Sequence, residues 1–254
     1  KIASFPTSDF NEFKMISPHH SDFSYIARRV SGDISIYEIN GSQINLVSET
    51  GIELDNQRIN FSATLFNSDT ILYTHDKDLI SYSSNDAGQT WNEKDTIPDR
   101  PWGVGIYVLK SNPDILFSGS QDCYTSDDGG STWVQMSNWG AYYSNVEYKL
   151  HADMMSFNEF ETISGEPFLL IGNDGGISIN NNDYSNFQLG YQNIGLENLN
   201  VSQYYDVRSD LDPSHYYIYA GSQDQGFQRA STNFSNEGTL EFEQVISGDY
   251  GHIS

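Results

Sequence analysis

At 254 residues the chain is long enough to bury one large all-β core. Its 35 Asp plus Glu stand against 12 Lys plus Arg, and a formal charge of −23 disfavours nucleic acid and anionic membrane as partners. A single cysteine, Cys123, excludes an intrachain disulfide framework, and no apolar run approaches the roughly 18 residues of a membrane-spanning helix.

Residues 1–22 are polar, carry the pair His19-His20 and show few strand signals, so they read as a leader or the tail of a preceding blade. Strand patterning begins at Phe23, with strands expected over 23–30, 34–39 and 44–47. Ser31-Gly32-Asp33 and Asn40-Gly41 sit at the joints, and Asn-Gly is a strong hairpin signal. This first unit spans about 23–58. The second, 59–98, has strands at 59–66, 71–74 and 79–83, then a turn-rich stretch ending at Trp91. The third, 99–140, has strands at 104–109, 115–118, 123–126 and 134–136, with Asn112-Pro113-Asp114 as a turn. The fourth, 141–195, follows an aromatic-rich insertion over 137–150 and has strands at 151–157, 168–172 and 176–179. Phe187 stands where the earlier units have tryptophan. The fifth, 196–247, has strands at 204–208, 216–220 and 226–229, with Phe242 in the tryptophan position. Residues 248–254 read as the start of a sixth.

One pattern organises these units. Ser84, Asp86, Gly88, Thr90 and Trp91 recur as Ser126, Asp128, Gly130, Thr132 and Trp133, with the tryptophans 42 residues apart. Ser and Asp side chains accept from backbone N–H groups two or three residues on and close a tight turn, and Gly supplies positive φ. Trp then lies across the apolar layer between neighbouring sheets. A repeat of about 40–45 residues points to an all-β propeller of four-stranded antiparallel blades. The count is about five blades plus a stub. Because an open array leaves exposed edges, the expectation is a part of a larger propeller.

The Ser-x-Asp-x-Gly-x-Thr-Trp motif resembles the Asp-box, or BNR-repeat, family, found in sialidases, xyloglucan-type glycosidases, sortilin-like receptors and secreted bacterial propellers. In that family the box lies on an outer hairpin away from the ligand face. A second series narrows the resemblance over about 70–254: His151-Ala152-Asp153, Asn173-Asp174-Gly175-Gly176, Asn193-Ile194-Gly195-Leu196, Gln203-Tyr204-Tyr205-Asp206, Gly221-Ser222-Gln223-Asp224-Gln225-Gly226 and Gly248-Asp249-Tyr250-Gly251. In order and spacing it is similar to the large secreted bacterial BNR propellers of glycosyl hydrolase-like or xyloglucanase-like type, often exported by type IX secretion. Two departures stand out. The family's His-x-Asp-x-x-His is here His151-Ala152-Asp153-Met154-Met155-Ser156, and the third and fourth boxes have decayed. The resemblance implies a secreted or cell-surface location. As partners it implies polysaccharide or extracellular protein, with secretion or outer-membrane surface machinery as a further one.

Chemistry can sit at the acidic turns. Asp174, Asp224 and Asp249, with Asp122 in Ser120-Gln121-Asp122, fall at equivalent places in successive blades. Two carboxyls about 5–10 Å apart would suit a glycosidase, and a converging set would suit Ca²⁺. Alternatively each Asp caps its own turn. Trp102, Trp139, Tyr142 and Tyr143 are candidate ligand platforms, and the resemblance adds His151 and Asp153. Six arginines and no Arg-Ile-Pro argue against a sialidase, and the lack of Cys-x-x-Cys and His-Glu-x-x-His argues against zinc. No cofactor is expected apart from Ca²⁺. The leading expectation is a non-catalytic module that binds carbohydrate or protein. A xyloglucanase-type glycoside hydrolase and a sortilin-like peptide-binding domain are the alternatives.

Overall fold

The structure, a computed structural model, describes residues 12–18, 21–55, 58–101, 105–180, 191–194, 204–212, 215–223, 226–232 and 241–251. The chain divides into two compact units, Lys1–Leu196 and Glu197–Ser254. Five four-stranded antiparallel sheets, each a meander in chain order, make the all-β propeller-type fold. The first unit holds four of them. Sheet 1 is β1 (Phe13–Ile16), β2 (Phe23–Val30), β3 (Asp33–Asn40) and β4 (Gln43–Glu53); sheet 2 is β5 (Phe61–Phe66), β6 (Asp69–His75), β7 (Ile80–Ser84) and β8 (Asn92–Thr96). Sheet 3 is β9 (Gly105–Val108), β10 (Leu116–Gly119), β11 (Cys123–Ser126) and β12 (Val134–Ser137). Sheet 4 is β13 (Ser156–Glu161), β14 (Pro167–Asn173), β15 (Gly176–Asn180) and β16 (Tyr191–Asn193). The second unit holds sheet 5: β17 (Tyr204–Asp212), β18 (His215–Ser222), β19 (Gly226–Thr232) and β20 (Glu243–Ile246).

Alternating side chains explain the stacking in the first unit, because each strand sends every second residue into the layer shared with the next sheet. Tyr25, Ala27, Ile34, Ile36, Ile52 and Leu54 of sheet 1 meet Ile59, Phe61, Ala63 and Leu72 around sheet 2. Tyr73 and Ile97 meet Ile106, Val108 and Leu116 between sheets 2 and 3. Leu109, Ile115, Phe117, Cys123 and Met136 meet Phe157, Leu169, Ile171 and Tyr191 between sheets 3 and 4. There Phe117 and Phe157 stack at 5.4 Å. The leading strands gather as well, β1 against β5 and β5 against β9. Cys123 is fully buried in the third layer, and burial pushes its thiol pKa up.

Three sequence expectations need correction. Phe13–Ile16, inside the stretch read as a leader or preceding tail, is a strand of sheet 1 and pairs with β2 from Phe13↔Arg28 to Ile16↔Tyr25. It escapes notice because four residues bounded by polar chain give too little alternation to read. Residues 151–155, expected as strand, are a loop. Asp153 has φ 65°, and the N–H groups of Asp153 and Met154 donate to Gln121 O and Ser120 O of sheet 3 instead of to a neighbouring strand. Residues 248–251, expected to open a sixth blade, carry no strand, and Tyr250 N–H donates to Ser222 O at 3.1 Å. The expected decayed box over 181–186 and Phe187 lie outside the described residues.

The repeated motif closes the β7–β8 and β11–β12 turns with one bonding pattern. Gly88 N–H donates to Ser84 Oγ at 2.8 Å, while Thr90 N–H and Oγ1 donate to the two Asp86 carboxylate oxygens at 2.9 and 2.6 Å. The second copy repeats this with Ser126, Asp128, Gly130 and Thr132, each distance 2.8 Å. Trp91 packs on the layer between sheets 1 and 2, and Trp133 on the layer between sheets 2 and 3. Burial alone would raise the Asp86 and Asp128 pKa values, but the donors of Thr90 and Thr132 and their neighbours outweigh it and hold both below the usual carboxylate range.

That depression makes the clasps acid-labile. A carboxyl whose folded pKa lies below its unfolded value of about 3.9 contributes fully above that value, and the contribution is lost as pH falls through the folded one. Melting curves taken between neutral pH and the acid range should therefore fall most steeply below about pH 4. The double variant Asp86→Asn with Asp128→Asn should start about 2 kcal/mol less stable and lose less on acidification. An acid limb identical to the parent's would remove these carboxylates from the account.

Candidate functional site

In a four-stranded meander the turns alternate between the two ends of the sheet. The clasp turns lie at one end. At the other lie the turns between second and third strands and the links from one sheet to the next. The candidate site is at this second end of sheets 3 and 4. It is built from the turn Ser120-Gln121-Asp122, the link 138–155 and the turn Asp174-Gly175.

The link begins as a six-residue 3₁₀ helix, Trp139–Ser144. Asn138 caps it by accepting from Gly140 N–H at 3.0 Å. Asp122 reaches across from the β10–β11 turn, accepting from Trp139 N–H and Gln135 Nε2, each at 2.7 Å. Farther along, Asn193 N–H of β16 donates to Glu147 O at 2.8 Å, so the link is fastened to sheet 4 as well.

Four of the sequence candidates meet here. Trp139 and Tyr143 stand edge to face at 6.4 Å and 89°, and Tyr142 and Tyr143 at 5.5 Å and 81°. His151 supports them from below, 4.7 Å from Tyr142 and 6.2 Å from Tyr143. His151 is 5% exposed, whereas Trp139 is 43% and Tyr143 63% exposed. Partial burial raises the Tyr142 phenol pKa, so it stays a hydrogen-bond donor. Gly175 lies directly against His151, where an added Cβ would fall 2.5 Å from the histidine Cβ. Side-chain volume is therefore excluded at residue 175 so that His151 can sit under the ring cluster.

The acidic candidates that the structure describes sit on different stretches of backbone. Asp174 N–H donates to Ala152 O at 3.3 Å, and Gly175 N–H donates to Asn173 Oδ1 at 3.0 Å, so Asn173 closes this turn. Asp153 is fastened through its backbone to Gln121. Asp249 belongs to the second unit, beside Tyr250, whose carbonyl approaches Gly221. Trp102 and Asp224 lie outside the described residues. Among the described residues no three His, Cys, Asp or Glu side chains converge to hold a metal ion, and no helix is long and apolar enough to cross a membrane.

Two polar residues have roles that sequence reading did not assign, and one of them, Glu159, it passed over. Asp122, grouped with the acidic turns, positions the 3₁₀ helix instead of capping its own turn. Glu159 is buried on β13 and accepts from Lys110 N–H at 2.5 Å and Ser111 N–H at 3.2 Å, joining sheets 3 and 4. Its signal was available. In Ser156–Glu161, Glu159 shares the alternating phase of Phe157, which places a carboxylate on the buried side.

No family model matches the sequence, and no curated protein matches it either. Among solved structures the chain is similar to YCF48 bound to D1 peptide, at 15% identity over 94% of this chain and 75% of that one, TM-score 0.44. It is also similar to the GH74 xyloglucanase from Xanthomonas campestris, at 14% identity over 92% of this chain and 38% of that one, TM-score 0.49. The GH74 enzyme of Niastella koreensis gives 16% identity over 87% and 36%, TM-score 0.45. The likeness is one of fold. The chain spans well under half the length of the two GH74 enzymes, and the likeness assigns it neither activity nor ligand.

Proposed function

We propose that this chain is a non-catalytic binding module of the Asp-box type, working in a secreted or cell-surface bacterial protein and retaining carbohydrate or protein on the Trp139–Tyr142–Tyr143 platform. The observation that carries the reading is the platform's construction. Exposed Trp139 and Tyr143 and half-buried Tyr142 sit on a short helix whose start is pinned by Asp122 and whose rings pack on buried His151. Rings held in place before a ligand arrives bind without the entropy cost of ordering them, and Trp and Tyr dominate binding energetics where they are presented this way. The acidic surface and the Ser-x-Asp-x-Gly-x-Thr-Trp turns support the proposed location and family.

The test separates binding from hydrolysis. On affinity gels containing soluble glucans or secreted bacterial proteins, Trp139→Ala should lower retention about ten-fold or more. Asp174→Asn should leave retention intact, and no polysaccharide should be cleaved by either form. Cleavage by the parent that disappears in Asp174→Asn would replace this reading with a glycoside hydrolase.

A further inference from the structure

Resting on the binding-module reading, we infer that the platform takes an extended proline-rich peptide with basic flanking residues. Ring geometry is the first reason. Trp139 to Tyr143 and Tyr142 to Tyr143 are both close to perpendicular, so the surface is a series of ridges and notches, not one flat shelf. A pyranose stacks on a broad free ring face, and an edge-on neighbour within about 7 Å interrupts such a face. A pyrrolidine ring is compact enough to seat between two ridges, which is how aromatic-lined grooves hold polyproline II segments.

Hydrogen-bonding capacity is the second. The Trp139 indole and the Tyr142 and Tyr143 hydroxyls have no side-chain hydrogen bond among the described residues. Polyproline II has no internal hydrogen bonds and turns its carbonyls outward, while proline has no N–H to give. A surface that offers three donors beside apolar rings matches a ligand rich in acceptors and poor in donors.

Charge supplies the flanks. The link carries exposed Glu147 and half-buried Asp153, with Asp122 and Asp174 in the adjoining turns and Lys149 as its single lysine, on a chain of net −23. Opposite charge at the ends of the peptide would steer it to this end of the sheets. Val146 and Tyr148, exposed a few residues farther along the same link, add apolar surface.

Fluorescence anisotropy with a labelled peptide of Pro-Pro-Leu repeats carrying arginine at both ends tests this on the whole chain. Saturable binding is expected, weakened about ten-fold by Trp139→Ala and two- to five-fold by Tyr143→Phe, which keeps the ring and removes its donor. Binding should also weaken with added salt. Trp139 is exposed, so near-ultraviolet dichroism should verify an intact fold in each variant. Equal binding of a glycine-for-proline peptide would overturn the inference. So would Trp139-dependent retention on a neutral glucan gel without peptide binding, an outcome that leaves the binding-module reading standing. Loss of both ligands would overturn the two together.

Discussion

Replacing Glu159 with alanine is expected to destabilise the first unit by about 3 kcal/mol, read as a lower urea midpoint at unchanged slope. The residue is 5% exposed, and its carboxylate gathers Lys110 N–H, Ser111 N–H and the Ser111 hydroxyl from the β9–β10 turn. Its own N–H donates to Tyr107 Oη at 2.9 Å, and Lys110 Nζ reaches Glu159 O at 3.5 Å. Sheets 3 and 4 are thus joined by polar contacts at the margin of an apolar layer. Truncation strands two backbone donors in a half-buried place, and stranded donors cost more than the bonds themselves contributed. Glu159→Gln keeps one acceptor oxygen but turns an NH₂ toward donors, so about half the loss should remain. Because the link 138–155 is fastened to both sheets, ligand retention should decline with stability. An unchanged midpoint would show that the apolar layer alone holds these sheets together.

Particular residues decided how much of this was legible beforehand. The clasps were legible because their bonds are local: Ser84 to Gly88 and Asp86 to Thr90 join residues four apart, so sequence order nearly determines the contact. Sheets 2 and 3 followed from the repeat of those clasps. The aromatic insertion could be picked out by composition, but the ridged surface of Trp139, Tyr142 and Tyr143 could not. Its shape depends on Asp122, Asn193 and Gly175, which come from three other elements. The loop over 151–155 was misread for the same reason. Its N–H groups are answered by the neighbouring sheet, and a one-dimensional alternation pattern carries no information about bonds of that kind. Asp174 shows the limit from the other side. Asp-Gly reads as an Asp-closed turn, yet Asn173 accepts the closing bond.

Gly105→Ala is expected to cost about 4 kcal/mol, near the upper end for a single substitution. An added Cβ would lie 1.9 Å from Asn60 Oδ1, 2.4 Å from its Cγ and 2.8 Å from its Cβ, and φ at this residue is +76°, a region alanine enters only at a cost. Asn60 has little freedom to withdraw. Its Nδ2 donates to His75 Nε2 at 2.8 Å, its carbonyl accepts from Thr74 Oγ1 at 2.7 Å, and it is buried. Burial pushes the His75 pKa below its usual value, so the ring is neutral. The amide donor at Nε2 assigns the ring proton to Nδ1, which donates to Asp76 O at 2.7 Å. Relief of the clash would therefore break a buried chain running from β5 through β6 to the next turn. A double-mutant cycle tests the cause. Asn60→Ala alone should cost about 1–2 kcal/mol, through the lost histidine contact. Combined with Gly105→Ala it should fall well short of the sum, because the obstructing Oδ1 and Cγ are gone and only the Cβ of residue 60, 2.8 Å away, stays close; the pair should cost about 3–4 kcal/mol, with that contact, the strained φ and the unpaired histidine as residue. Strict additivity at about 5–6 kcal/mol would mean that backbone strain, and not Asn60, makes glycine necessary where β9 begins.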